Sequence, residues 1–265
     1  MRPSVVKAKL RRNEVAFLTA LHLRDPAVFE LCSLFGFDAI WLDMEHWPRS
    51  MQTTNDLIRA ARVGNSEVMV RIAKGEFMRM QRALEAGAQG IMYPRCDNAA
   101  EAREVVKWTK FAPMGTRGAD SAGPDNPYCL TPLVQYLKQA NEETFVVIQI
   151  EDPAALANAD EMAAVEGVDV LFFGPGDFSI ISGIPGQFDH PLIEDAMQKI
   201  AAAAKKHGKH WGMPVFNPDF AKKVVDMGGR FLANGSDLTS LKAHFEELQK
   251  KFAPVGATFN KKQFS

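Results

Sequence analysis

The feature that most constrains this chain is an unbroken alternation of short β-branched runs with amphipathic helical stretches. VAFLTAL (Val15–Leu21) reads as the first strand, and Pro26–Phe35 as a helix that stops at Gly36. AIWLD (Ala39–Asp43) precedes a helix over Thr54–Val63, and EVMVRI (Glu67–Ile72) precedes Phe77–Ala86, ended by Gly87. GIMYP (Gly90–Pro94) is followed by Ala99–Lys110. FVVIQIE (Phe145–Glu151) and VDVLFFG (Val168–Gly174) flank an alanine-rich helical stretch. HWGMPV (His210–Val215) leads into Pro218–Met227, and RFLANG (Arg230–Gly235) into Leu238–Phe252. Such a succession is expected to close as one α/β domain over residues 1–265, a TIM (β/α)8 barrel. A doubly wound open sheet is the alternative, but no GxGxxG follows the first strand.

One region breaks the rhythm. Between residues 111 and 143 the chain carries FAPMGTRGADSAGPDNPYCL and then a helix, TPLVQYLKQAN. Loops of this length are often functional, so it is expected to cover the barrel mouth or to reach a neighbouring subunit. The tail Ala253–Ser265 lacks periodicity and is expected to be irregular or exchanged with a partner. At 46% hydrophobic residues the chain can bury a barrel core, and a net charge of -1 without charged runs argues against nucleic acid or an anionic membrane as partner. The three cysteines lack metal-ligand spacing, and MRPSVVKAKLRR reads as a short leading helix rather than a signal peptide. No later stretch could span a bilayer, and the setting expected is soluble, reducing and cytoplasmic.

The strand ends carry the chemistry. Glu151 closes one strand of the pair around the alanine-rich stretch, and Asp177 follows the other after Gly174, Pro175 and Gly176. Parallel neighbours end on one edge of a sheet, so the two carboxylates are expected close enough to share a divalent cation. Oxygen ligands with open positions suit magnesium or manganese better than zinc. In a barrel, Asp43, His46 and Arg71 join the same rim. A cation between Glu151 and Asp177 can chelate a 2-oxo acid, with Arg71 adding positive charge where an enolate oxygen develops. His46, oriented by Asp43 or Glu45, can move a proton, and the GPGD glycines let backbone N–H groups approach a carboxylate.

Simpler readings exist for each group. Asp43 could cap a helix or pair with Arg71, and His46 beside Trp47 and Pro48 could be a packed loop histidine. Glu45 reads as a supporting residue. His207 and His210 precede a strand and belong to the opposite rim. Arg117, between Gly115 and Gly118, sets a turn or reaches a substrate carboxylate.

At this point the chain resembles the HpcH/HpaI-type class II pyruvate aldolases, over roughly Phe17 to Phe252. The matching segments are FDAIWLDMEH (Phe37–His46), VRI at Arg71, RALEAGAQGIMYP (Arg82–Pro94), PMGTRG (Pro113–Gly118), QIE (Gln149–Glu151), GPGDFS (Gly174–Ser179) and GSDLTSL (Gly235–Leu241). The resemblance implies a barrel whose C-terminal helix is swapped between subunits, commonly in a hexamer built as a trimer of dimers. It implies reversible cleavage of a 4-hydroxy-2-oxo acid to pyruvate and an aldehyde, with Mg2+, Mn2+ or Co2+. By that similarity Glu151 and Asp177 hold the metal, Arg71 steadies the enolate, and His46 with Asp43 handles the hydroxyl proton. Gly174 and Gly176 meet the pyruvate carboxylate through backbone N–H groups, and Glu85 stands near the His–Asp pair of a neighbouring subunit. The chain departs from the family pattern in DMEH for DGEH, in Ile72 for proline, and in Gly176 and Phe178 for alanine and leucine. Alternatives on the same rim are oxaloacetate decarboxylation or condensation of the derived enolate. A CoA-ester lyase would need a basic adenosine-phosphate site that the sequence does not offer. A non-catalytic keto-acid-binding barrel is the remaining reading.

Overall fold

The computed structural model describes residues 2–260 and 262. Its centre is a closed barrel of parallel strands: β1 (Ala16–Leu21), β2 (Ala39–Asp43), β3 (Glu67–Arg71), β4 (Gly90–Tyr93), β5 (Phe145–Ile150), β6 (Val170–Phe173), β7 (His210–Pro214) and β8 (Phe231–Ser236). Each pairs with the next, and β8 returns to β1. The helices are α1 (Val5–Arg11), α2 (Pro26–Leu34), α3 (Met51–Ala60), α4 (Phe77–Glu85), α5 (Ala99–Thr109), α6 (Leu133–Glu143), α7 (Pro153–Ala157), α8 (Ala159–Ala163), α9 (Pro175–Ile181), α10 (Pro191–Lys206), α11 (Pro218–Asp226) and α12 (Asp237–Phe252). This is the TIM barrel expected from the alternation.

Strand side chains alternate between two apolar zones, as the two-residue period requires. Leu18, Met69, Met92, Val147, Phe172 and Phe231 fill the barrel interior. Phe172 meets Phe231 edge-on at 5.9 Å and Trp41 at 5.7 Å. Ile40, Leu42, Val70, Ile91 and Leu171 point outward beneath the helices. Burial of each such side chain is worth about 1.5–3 kcal/mol, so the barrel is a packed core rather than a pore.

The leading helix closes the lower end. Ser4 caps α1, its Oγ accepting from the Lys7 N–H at 3.0 Å, and Val6 and Leu10 join the interior cluster. Lys7 and Lys9 tie α1 to Asp169 at 3.0 Å and Asp38 at 2.7 Å. Buried Glu67 receives the Val5 N–H, the Ser4 hydroxyl at 3.0 Å and the Gln89 amide at 3.3 Å. Its burial raises its pKa to about 8, against the pull of those donors.

Two expectations are corrected. The alanine-rich stretch between β5 and β6 is two short helices, broken at Asn158, whose amide donates to Asp97 O at 2.8 Å. After β6, the helical part of its βα unit is two helices, α9 and α10, over Pro175–Ile181 and Pro191–Lys206. The 111–143 segment does not cover the mouth. It joins the end of a helix to the start of a strand, and in a barrel such connections lie at the lower rim. It is pinned there by Gly118 N–H to Gln81 at 3.2 Å and by Arg62 to Pro124 O at 3.2 Å. Arg117 is buried inside it, pairing with Asp125 at 2.7 Å, and is not among the residues at the mouth of its own barrel.

Helix α12 follows β8 behind a capping box at Ser236 and Thr239, and touches the barrel through β8 and β1. Leu238, Leu241, Phe245 and Phe252 on it remain exposed. Part of the expected irregular tail, residues 261 and 263–265, lies outside the described residues. Among the described residues, no helix is long and apolar enough to cross a membrane.

Candidate active site

The C-terminal strand ends form a cavity of about 300 Å³ whose wall includes His46, Arg71, Gln149, Glu151 and Asp177. A larger cavity, about 710 Å³, lies outside the barrel between α7, α9 and α10. Its charged residues are tied to one another, Asp195 to Lys199 at 2.7 Å and Asp160 to Lys206 at 2.8 Å. The mouth is therefore where reactive groups converge.

Asp43 and Arg71 end adjacent strands and are register partners across the β2–β3 ladder. Arg71 donates from Nε to Asp43 Oδ1 at 2.9 Å and from Nη2 to Oδ2 at 2.7 Å, a planar two-pronged pair. Its Nη1 lies 3.2 Å from Glu45 Oε2, and the guanidinium stands 4.8 Å from the Trp41 ring centroid. Burial opposes the charge on Arg71, yet the Asp43 bonds and the Asp43, Glu45 and Glu151 carboxylates raise its pKa. Burial likewise pushes Asp43 up, but hydrogen bonds from Arg71 outweigh it and hold the carboxyl below its ordinary value.

His46 is not oriented by Asp43. Asp43 is engaged by Arg71 and by the Glu45 N–H at 2.9 Å. His46 Nε2 instead lies 3.5 Å from Glu45 Oε2, with its side chain 60% exposed. Glu45, read from sequence only as a supporting residue, is thus the link between Arg71 and His46. Desolvation raises its pKa.

Glu151 is fixed through both oxygens. Oε1 accepts from Gln149 Nε2 at 2.5 Å, and Oε2 accepts from the Arg95 N–H at 3.0 Å. Arg95 adopts the left-handed conformation, φ 48°, which turns that N–H toward the carboxylate. Desolvation first, then the Glu45 charge and that of Asp177, raise Glu151 to about 7. Asp177 sits in the first turn of α9, half-buried on the cavity wall.

Gly174 and Gly176 have different roles. The Gly174 N–H is used by Ile150 O at 2.9 Å, so it does not face a ligand as expected. Gly174 supplies room instead, since a Cβ there would lie 2.5 Å from Glu151 Oε1. The N–H groups of Gly176 and Asp177 belong to the first turn of α9, where no intrahelical carbonyl reaches them. They are the donors the mouth offers.

The donor set fits a hard divalent cation. The Asp177 charge raises the proton affinity of Glu151 across the cavity, and buried Gln149 Oε1 beside it has no partner. Among the described residues no group of three or more His, Cys, Asp or Glu side chains is placed to hold a metal ion; a cation held by Glu151 and Asp177 would keep positions for water and substrate.

Gln149 and the Arg95 backbone have no role in the sequence reading. The strand period contains the signal for Gln149, two residues before Glu151 on the same face. Arg95 carries no such signal, because its contribution is a backbone conformation. Glu85 lies at the lower end of α4, accepting from Gln81 Nε2 at 2.9 Å, and is not brought to His46 within one chain.

Barrels carry out their chemistry at this face, so fold and site together define a (β/α)8 enzyme with an acidic mouth. The chain belongs to the HpcH/HpaI aldolase/citrate lyase family, whose profile matches residues 17–243. It is 32% identical to the 5-keto-4-deoxy-D-glucarate aldolase of Klebsiella pneumoniae over 250 residues, 94% of this chain and 97% of that protein. The crystal structure of an HpcH/HpaI aldolase from Desulfitobacterium hafniense DCB-2 superimposes with a TM-score of 0.89 at 28% identity, covering 96% of this chain and 98% of that one. That of macrophomate synthase gives 0.82 at 26% identity, covering 96% and 90%.

Proposed function

We propose that this protein is a class II pyruvate aldolase that reversibly cleaves a 4-hydroxy-2-oxo acid to pyruvate and an aldehyde. The observation that carries the reading is one cavity holding Glu151, Asp177 and the ion-paired Arg71. A divalent cation, Mg2+, Mn2+ or Co2+, held by Glu151 and Asp177, would polarise the 2-oxo group.

The chain's own residues supply the remaining chemistry. Arg71, locked by Asp43 and Glu45, presents fixed positive charge where enolate oxygen develops and needs no reorganisation. His46 accepts the C4 hydroxyl proton, steadied by Glu45. The C3–C4 bond then breaks, its electron pair passes into the pyruvate enolate, and the aldehyde carbonyl forms at C4. Proton delivery to C3 completes pyruvate. The Gly176 and Asp177 N–H groups face the substrate carboxylate.

Assembly as a homo-oligomer, a hexamer as a trimer of dimers, would complete the site by placing Glu85 of a neighbouring subunit near His46. The exposed apolar residues of α12 and the exposed Leu31, Leu34 and Phe35 at α2 support exchange of α12 between subunits. The free thiols Cys32, Cys96 and Cys129 accord with a reducing, cytoplasmic setting.

The test follows pyruvate release from a panel of 4-hydroxy-2-oxo acids and oxaloacetate with each metal, then with EDTA. EDTA-sensitive cleavage lost in Asp177→Asn is the expected result. Turnover that survives EDTA, or turnover of oxaloacetate alone, would overturn the reading.

A further inference from the structure

Beyond its acidic groups, the mouth has an apolar wall built by Phe188, Pro214 and Phe216. Phe188 and Phe216 stack at 4.7 Å with 23° between ring planes, and Phe220 backs Phe216 at 5.2 Å. Phe216 is nevertheless 44% exposed. Its neighbours in sequence are fixed: the Val215 N–H bonds Ala233 O at 2.8 Å, and Asn217 caps α11 through the Phe220 N–H at 2.8 Å. A large ring held from both sides and left open beside carboxylates is a preformed apolar recognition surface.

Arg71 and Glu151 are already engaged, by Asp43 and Glu45 and by the Gln149 amide and the Arg95 N–H, and the polar atoms left open, Gln149 Oε1 and the Gly176 and Asp177 N–H groups, belong to the end that receives the 2-oxo acid. Among the described residues lining it, the side chain with a fixed positive charge is Arg71, held by Asp43 and Glu45, and His46 lies beside Glu45. With the 2-oxo acid end at Glu151 and Asp177, the atoms from C4 onward meet the phenylalanine wall. A second carboxylate or a run of hydroxyls there would lose water without gaining partners.

We infer that Phe188 and Phe216 select the aldehyde half of the substrate. It is apolar and uncharged, an aryl group best of all, because flat rings match the stacked faces. This inference rests on the aldolase reading and separates the chain from relatives named for 5-keto-4-deoxy-D-glucarate, whose substrate carries a second carboxylate.

The experiment compares kcat/KM for pyruvate release, with magnesium, from 4-hydroxy-2-oxo-4-phenylbutanoate and from 5-keto-4-deoxy-D-glucarate. The phenyl substrate is expected to be favoured by at least about tenfold, a difference that apolar-pocket discrimination can supply. Phe216→Ala and Phe188→Ala are expected to erase most of that preference, whereas Phe216→Leu, which keeps an apolar wall, retains part of it. Efficient turnover favouring the glucarate-type substrate, or a preference unchanged in Phe216→Ala, overturns the inference and leaves the aldolase standing. Pyruvate from neither substrate with magnesium, manganese or cobalt overturns both.

Discussion

Asp43 and Arg71 are register partners at the ends of β2 and β3 and are joined by two hydrogen bonds of 2.9 and 2.7 Å at the floor of the mouth. The pairing decides which acid does what. Asp43 fixes the arginine, leaving Glu45 to face His46. Arg71→Lys keeps the charge but not the planar fork, so kcat is expected to fall about 10²–10³-fold with little change in fold. Asp43→Asn removes the charge of the two-pronged pair and leaves buried Arg71 with Glu45 as its remaining carboxylate partner, and is expected to cost about 3 kcal/mol in denaturant unfolding. Combining the two changes should cost less than their sum, as a double-mutant cycle would show.

Gly174 protects the position of Glu151. A methyl group there would sit 2.5 Å from Glu151 Oε1, so the carboxylate must move off the Gln149 amide. Gly174→Ala is expected to weaken Mg2+ or Mn2+ binding about 10–100-fold by calorimetry while the circular dichroism spectrum is retained. Unchanged metal affinity would show that Glu151 is not a ligand.

His46 separates two reactions of the same enolate. Aldol cleavage requires removal of a hydroxyl proton, and oxaloacetate decarboxylation does not. His46→Ala is expected to slow cleavage about 10²–10⁴-fold and leave decarboxylation largely intact. Equal loss of both would assign His46 to substrate binding instead.

At the opposite end of the barrel, Glu67 makes stability depend on pH. Its pKa is raised by burial from 4.5 to about 8, so the folded chain holds the proton more tightly than the unfolded one. Its contribution is therefore greatest below pH 4.5 and declines as pH rises toward 8. Glu67→Gln, which keeps a neutral acceptor for the Ser4 hydroxyl, is expected to flatten the fall in Tm between pH 5 and pH 8. A variant that loses stability with pH as steeply as the parent would assign the slope to another group.

Much of this protein was legible in one dimension. Local periodicity reports which residues face a core, and the repeated switch between two-residue and helical periods left few closures other than a barrel. Barrel closure in turn places every strand end on one rim, so Asp43, Arg71, Glu151 and Asp177 could be read as neighbours before any distance was known. Pairing across the rim was decided only in three dimensions. Whether Asp43 meets His46 or Arg71 depends on strand register and side-chain direction, which sequence spacing does not encode. The left-handed turn at Arg95, the occupied N–H of Gly174 and the stacking of Phe188 on Phe216 arise from segments distant in sequence. The sequence by itself determined the barrel and the chemical types at its mouth, because both follow from local pattern and closure. Tertiary structure decided which groups are partners and what surface the substrate meets, because those contacts are set by packing between elements.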